Sequence, residues 1–135
     1  KSKSMGTAIY YCLQGIQNNE IYSLSTLGAI YGTQENYAES FKYLEQAAKK
    51  GEFIAQYNLG VMYERGNGVA QSYAEAARLY RLAVEQGYSP AQNNLALLYY
   101  VGLGVKEDKQ QARGLFQSAA DQGYGLAIKN LDELF

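Results

Sequence analysis

Small, branched and aromatic residues recur at helical spacing along this chain. Ala55, Leu59 and Tyr63 lie at positions i, i+4 and i+8, so they share one stripe of a helix. A second stripe follows the pattern i, i+3, i+4, i+7 within residues 76–83. The pattern predicts two amphipathic helices, which are called helix A and helix B in chain order.

Both stripes return farther along the chain. Ala55 and its neighbours reappear from Ala91 onward, 36 residues later, and the turn Gly66-Asn67-Gly68 reappears as Gly102-Leu103-Gly104. Glycines adopt positive φ at little steric cost, so they suit a tight reversal between helices. A unit of this length cannot bury its own apolar face and must stack on neighbours. We therefore expect an all-α fold, an α-solenoid of stacked antiparallel helix pairs.

The repeat pattern divides the chain into one continuous array. Leu27-Gly28 precedes Leu59-Gly60 by only 32 residues, which predicts a four-residue deletion in the first loop between helices. The expected parts of the 1–135 array are a partial helix B (1–15), a first unit with the shortened loop (20–51), a second unit (52–87), a third unit (88–123) and a partial helix A (124–135).

Helix B carries predicted start and stop signals. An N-cap acceptor stands three residues before an acid or amide in each unit, at Asn36, Ser72 and Asp108. The stops are glycines, Gly51, Gly87 and Gly123. Gly15 lies 36 residues before Gly51, which predicts that the partial helix B ends there and that Cys12 aligns with Ala48, a small core position.

With these residues in view, the chain resembles a SEL-one-like repeat (SLR) protein, a tetratricopeptide-related helical repeat with units of about 36 residues. The shared pattern is Ala, then Leu-Gly, Tyr, Gly-x-Gly-Val and paired Ala. The first unit lacks Gly-x-Gly-Val, and Ala96 replaces the family's glycine. The resemblance implies that the solenoid is a right-handed superhelix and that it serves as a non-catalytic protein-protein interaction scaffold or adaptor. We expect a fragment of a longer bacterial protein. The alternative is an envelope module that binds or regulates a cell-wall enzyme or its glycan.

The resemblance also places a partner protein or peptide on the concave face, which helix A residues line. Transfer by the Leu-Gly register selects Tyr22, Ser25, Tyr57, Val61, Glu64, Asn93, Leu97, Tyr100 and Lys129. Tyrosines offer rigid amphipathic area of the kind that is enriched in binding hot spots. For Val61 and Leu97, packing against the next unit is an open alternative.

An asparagine recurs once per unit immediately before the helix A leucine, at Asn58, Asn94 and Asn130. A side-chain amide both donates and accepts, so such a ladder suits the backbone of an extended peptide in the groove. Alternatively, each amide bonds the neighbouring helix and fixes the superhelix.

Composition excludes several classes of function. The formal net charge is −1 and the 12 Lys and Arg residues are scattered, so no nucleic-acid partner is expected. No apolar run approaches the roughly 20 residues that span a bilayer, so membrane insertion is not expected. The chain has no histidine and one cysteine, so we expect neither zinc, cofactor, disulfide nor catalytic triad. The compartment stays open, with a soluble periplasmic or exported protein favoured over a cytoplasmic one.

The last residues form an apolar stripe of Leu131, Leu134 and Phe135. Terminal repeats normally need a polar outer face. We therefore expect that a further helix B covers the stripe, that it docks back on the array, or that it mediates end-to-end self-association.

Overall fold

A computed structural model describes residues 2–17 and 21–135 of the chain, which form eight helices and no strand. The helices are α1 (Ser2–Gln17), α2 (Ile21–Thr33), α3 (Tyr37–Lys49), α4 (Phe53–Arg65), α5 (Tyr73–Glu85), α6 (Ser89–Val101), α7 (Lys109–Asp121) and α8 (Gly125–Leu134). Each helix packs against the next one along the chain. The predicted all-α solenoid of helix pairs is confirmed, with the even-numbered helices as helix A and the odd-numbered ones as helix B.

The connections within the pairs differ in length. Three residues, 34–36, join α2 to α3, whereas 66–72 and 102–108 join the later pairs. Each longer loop contacts the start of the preceding helix B. The contact is so close at Gly104 that a Cβ there would lie 2.3 Å from the carbonyl carbon of Tyr73. Glycine is therefore required at this contact as well as for the positive φ of 71°.

Two of the three predicted N-caps of helix B form. The Ser72 hydroxyl accepts the backbone N–H of Glu75 at 3.1 Å, and the Asp108 carboxylate accepts that of Gln111 at 3.0 Å. The prediction for Asn36 is wrong, because its side chain makes no cap hydrogen bond. Asn36 ends the short connection, and its φ of −87° and ψ of 75° lie outside the extended conformation of the other two caps.

Helix α1 continues to Gln17, so the prediction that it ends at Gly15 is wrong. The four-residue deletion lies between α1 and α3, so these helices end 32 residues apart, at Gln17 and Lys49, and not 36. On that spacing Gly15 corresponds to Ala47 and both are buried.

The same spacing corrects the alignment of the cysteine. Cys12 corresponds to Leu44 and not to Ala48, and both Cys12 and Leu44 are buried. Burial also raises the pKa of the Cys12 thiol. The predicted starts at residues 1 and 20 lie outside the described residues.

Small residues of each helix A pack against large residues of helix B, which lets the two helices approach closely. A Cβ on Gly60 would lie 2.7 Å from Cε1 of Tyr80, and one on Gly28 would lie 2.6 Å from Cγ of Leu44. Tyr80 is fully buried in the resulting core. This pairing of small with large residues gives close packing of helix A on helix B within each unit.

Successive units are joined by a repeated side-chain bridge. The Gln86 side-chain amide donates to the carbonyl of Gly51 at 2.9 Å, and the Gln122 amide donates to that of Gly87 at 3.0 Å. Each bridge satisfies a carbonyl at the turn that follows the preceding helix B. The same contact thus contributes to the stacking at two successive junctions between units.

Candidate functional site

The even-numbered helices expose one stripe each, with residues four, three and four positions apart. None of these residues is fully buried. We call them together the helix A face, which consists of Tyr22, Thr26, Ala29 and Thr33 on α2, Ile54, Asn58, Val61 and Arg65 on α4, Pro90, Asn94, Leu97 and Val101 on α6, and Leu126, Asn130 and Glu133 on α8.

Large apolar side chains are exposed to solvent on the helix A face. They range from Leu97, which is 37% exposed, to Tyr22, which is 69% exposed. The full set is Tyr22, Ile54, Leu97, Val101 and Leu126. Such residues on successive helices of one surface mark an interaction site more often than a random scatter.

Six of the predicted site residues lie on the helix A face, namely Tyr22, Asn58, Val61, Asn94, Leu97 and Asn130. Ile54, Val101 and Leu126 were missed. The signal that could have found them is their spacing from the asparagine ladder, because Ile54 and Leu126 each stand one helical turn before a ladder asparagine.

Four predicted residues form a different column, which points at the next unit. Ser25 and Asn93 are buried, so the prediction that they line an open surface is wrong. Tyr57 is half-buried, and its ring centroid lies 5.4 Å from that of Tyr88. Lys129 ends the column and is exposed. The Leu-Gly register selected this column because it lies beside the helix A face on the same helices.

Glu64 and Tyr100 are engaged in contacts between helices. The Glu64 carboxylate accepts a hydrogen bond from the Tyr80 hydroxyl at 2.8 Å. Burial, with the Glu64 carboxylate beside it, raises the pKa of Tyr80 above its usual range, so the hydroxyl keeps its proton. The Tyr100 ring lies 5.6 Å from that of Phe135, and the Lys109 ammonium lies 4.7 Å from its centroid.

The apolar stripe at the end of the chain partly docks back on its own unit. Leu131 and Leu134 pack against the buried cluster that contains Phe116, and the Phe135 ring lies 6.3 Å from the Phe116 ring. Phe135 is nevertheless 47% exposed. End-to-end self-association through Leu131, Leu134 and Phe135 stays a prediction.

The asparagine ladder makes bonds between units at two of its three positions. Asn94 Nδ2 lies 3.4 Å from the Tyr80 hydroxyl, and Asn130 donates to Oδ1 of Asn93 at 2.9 Å. These contacts match the alternative in which the amides fix the superhelix. The Asn58 side chain makes no hydrogen bond within the part of the chain that the structure describes.

A pair of matched substitutions tests this difference. Asn94→Ala is expected to lower the free energy of unfolding by about 1 kcal/mol relative to Asn58→Ala, because only Asn94 loses inter-unit hydrogen bonds. The gain in helix propensity is the same for both variants and cancels. Urea denaturation followed by circular dichroism measures it, and equal stabilities would contradict a structural role for the Asn94 amide.

Residues 2–17 and 21–135 contain neither a cluster of metal ligands nor a membrane-spanning helix. No group of three or more His, Cys, Asp or Glu side chains is placed to hold a metal ion. None of the described helices is both long and apolar enough to cross a bilayer.

A family model for the Sel1 repeat matches the chain three times, over residues 24–52, 54–88 and 89–124. The chain belongs to the Sel1 repeat family. Sel1 repeat proteins are generally scaffolds for protein-protein interaction and are typically non-enzymatic. A search among curated proteins finds no significant match.

Solved structures of Sel1-type repeat proteins are similar to the chain over at least 92% of its length. One is c5321, a protective antigen of uropathogenic Escherichia coli strains with an SLR fold, at 34% identity and a TM-score of 0.86 over 92% of this chain. This chain spans only 27% of c5321.

Two other solved structures have lengths similar to that of this chain. A Sel1 repeat protein from Oxalobacter formigenes gives 27% identity and a TM-score of 0.82, with coverage of 92% of this chain and 96% of that one. Cysteine rich protein B of Helicobacter pylori gives 27% identity and a TM-score of 0.75, with coverage of 94% of both chains. The Sel1 repeat chain described here has a single cysteine, so it forms no intrachain disulfide.

Proposed function

We propose that this chain is a non-catalytic adaptor that binds a partner protein or peptide along the helix A face, on the concave side of the solenoid. The observation that carries the proposal is the row of open apolar side chains, Tyr22, Ile54, Leu97, Val101 and Leu126. Their exposure leaves apolar area in water that a partner would bury. The general role of Sel1 repeats as interaction scaffolds supports the same function.

The spacing of the helix A face suits an extended peptide. Packed helices lie about 8–10 Å apart, and an extended chain advances about 3.3 Å per residue. Every third residue of such a peptide would therefore meet the next helix of the array. Ile54 and Leu97 would then contact side chains that lie about three residues apart on the partner.

Capture of the partner tests the adaptor function with a matched pair of variants. Leu97→Asp is expected to weaken partner binding about tenfold or more, because a charge would replace an apolar contact at the centre of the face. Leu13→Asp is the control, since Leu13 on α1 is similarly exposed, at 41% against 37% for Leu97. The immobilised chain and both variants would be compared for retention of cellular proteins by mass spectrometry and then for affinity. Equal retention by all three would remove the site from the helix A face.

The alternative is an envelope module that binds cell-wall glycan, and one observation favours it. Tyr11 and Tyr22, which are 67% and 69% exposed, line a shallow hollow of about 280 Å³ together with Thr26. Exposed tyrosine rings of this kind stack on sugar rings. If no protein depends on Leu97, soluble glycan fragments that raise the melting temperature of the parent but not of Tyr22→Ala would support this alternative.

A further inference from the structure

A cavity of about 310 Å³ lies between α2, α3 and α4. Its rim belongs to the helix A face, since Ala29, Thr33, Asn58, Val61 and Arg65 all line it. Its floor includes the apolar side chains of Leu44 and Met62, and the Ser40 hydroxyl beside them donates to the carbonyl of Gly28 at 2.7 Å. The cavity therefore connects the proposed partner surface with the core of the first unit.

The cavity exists because two positions carry smaller residues in the first unit than in the second unit. In the second unit the corresponding volume holds Glu64 and the fully buried Tyr80, whose hydroxyl donates to the Glu64 carboxylate at 2.8 Å. On the repeat spacing, Gly32 corresponds to Glu64 and Leu44 corresponds to Tyr80. The first unit thus lacks the Glu64 carboxylate and the Tyr80 hydroxyl, and it has the Ser40 hydroxyl where the second unit has Ala76.

Asn58 is one of the polar side chains that line the cavity, and it lacks the hydrogen-bond partner that the equivalent asparagine has in the next unit. Asn58 corresponds to Asn94, whose amide lies 3.4 Å from the Tyr80 hydroxyl. Asn58 is half-buried, and its amide makes no hydrogen bond among residues 2–17 and 21–135. A hydrogen-bond donor therefore faces a space from which the acceptors of the next unit are missing.

The charge at the rim is positive and unpaired. Arg65 is the only charged residue among those that line the cavity, and it forms no ion pair within the described chain. It lies seven residues after Asn58 on α4, which places the two side chains about 10 Å apart along one helix face. An arginine side chain that leans toward the N-terminus of its helix covers much of that distance, so an anionic group between the two side chains is within reach of both.

We propose that this cavity is a subsite for an acidic side chain, Asp or Glu, of an extended partner peptide. Its carboxylate accepts a hydrogen bond from Asn58 Nδ2 and pairs with the Arg65 guanidinium. It supplies in trans the group that Glu64 provides within the second unit. The subsite rests on the proposed adaptor function, and it adds a chemical preference to it.

The test uses a bead-displayed library of random decapeptides that are N-acetylated and C-amidated, so that side chains carry the only carboxylates. Selection on the parent chain is expected to enrich Asp or Glu at one position. Arg65→Glu should then weaken the selected peptides about tenfold or more through loss of a charged hydrogen bond. Lys106→Glu is the matched control, because Lys106 is an exposed loop cation away from the cavity, and it should leave affinity unchanged.

A second pair of variants fills the cavity from within. Gly32→Glu places a carboxylate at the position of Glu64 and is expected to abolish binding of the acidic peptides. A Cβ at Gly32 would lie 3.3 Å from the Ser40 hydroxyl, which a small shift relieves, so the variant should fold. Gly32→Ala is the control that leaves most of the space free and should keep binding. Circular dichroism melting of all variants confirms that each is folded.

The outcomes separate the subsite from the adaptor function. The subsite would be overturned by peptides that depend on Leu97 but show no acidic preference and bind Arg65→Glu and Gly32→Glu as tightly as the parent. That result would leave the proposed role of the helix A face intact. Peptides that bind Leu97→Asp as well as the parent, or a library that yields no binder, would overturn both.

Discussion

Replacement of Tyr80 by alanine is expected to lower the free energy of unfolding by about 3–5 kcal/mol, the usual range for loss of a buried aromatic side chain. Tyr80 is fully buried against Gly60, and its ring centroid lies 5.8 Å from that of Tyr57. Glycine at position 60 has no side chain that could move into the vacated space. The cavity would therefore persist, and Glu64 would lose its hydrogen-bond donor.

Tyr80→Phe separates packing from hydrogen bonding. This control keeps the ring and removes only the hydroxyl, so it is expected to lower stability by about 1–2 kcal/mol through unpaired Glu64 and Asn94. Urea denaturation of both variants, followed by circular dichroism, gives the comparison. A loss below about 1 kcal/mol for Tyr80→Ala would show that the core collapses around the gap.

Substitution of Gly104 by alanine is expected to lower the free energy of unfolding by about 2–4 kcal/mol, from positive-φ strain and overpacking together. Gly104 has a φ of 71°. Its Cβ would lie 2.3 Å from the carbonyl carbon of Tyr73 and 2.5 Å from the backbone nitrogen of Ala74. Backbone atoms at the start of a helix do not rotate away, so the loop itself must move.

Gly87→Ala isolates the conformational part of that effect. Gly87 also has a positive φ, 79°, but a Cβ there would meet no atom within 4 Å. Its substitution is expected to lower stability by only about 1–2 kcal/mol. Thermal and urea unfolding of the two variants side by side checks the difference. If Gly87→Ala were as damaging as Gly104→Ala, the contact between loop 102–108 and α5 would contribute little.

Helix identity followed from the sequence because each stripe is periodic and bounded by local signals. Ser72 and Asp108 could be assigned as caps because capping depends on residues only three positions apart. Gly15 and Cys12 were misaligned because a 36-residue match to Gly51 conceals the four-residue deletion between them. One coincident glycine outweighed the 32-residue spacing between Leu27-Gly28 and Leu59-Gly60, although that spacing already indicates the deletion.

The proposed binding surface was harder to predict because neighbouring columns of one helix differ by a small rotation. Tyr22 lies on the helix A face, while Tyr57 lies on the column that the next unit covers. The Leu-Gly register selected both tyrosines, although Tyr22 stands five residues before its leucine, Leu27, and Tyr57 stands two residues before Leu59. Which column stays open depends on how units stack, and that stacking is a property of the whole array.

The asparagine ladder shows the same limit at the level of single contacts. Asn58 and Asn94 stand in matching positions, yet their surroundings differ because Leu44 replaces Tyr80 and Gly32 replaces Glu64. These substitutions lie far from either asparagine in sequence. A local motif therefore predicts where an amide stands but not which group it meets.

The bridges from Gln86 to Gly51 and from Gln122 to Gly87 each join residues 35 positions apart. Folding slows as the mean sequence separation of contacts rises. In this architecture that separation is fixed by the repeat and does not grow with the number of units. Duplication of a unit would lengthen the helix A face while every new contact stayed as local as the existing ones, so a longer array of such units need not fold more slowly.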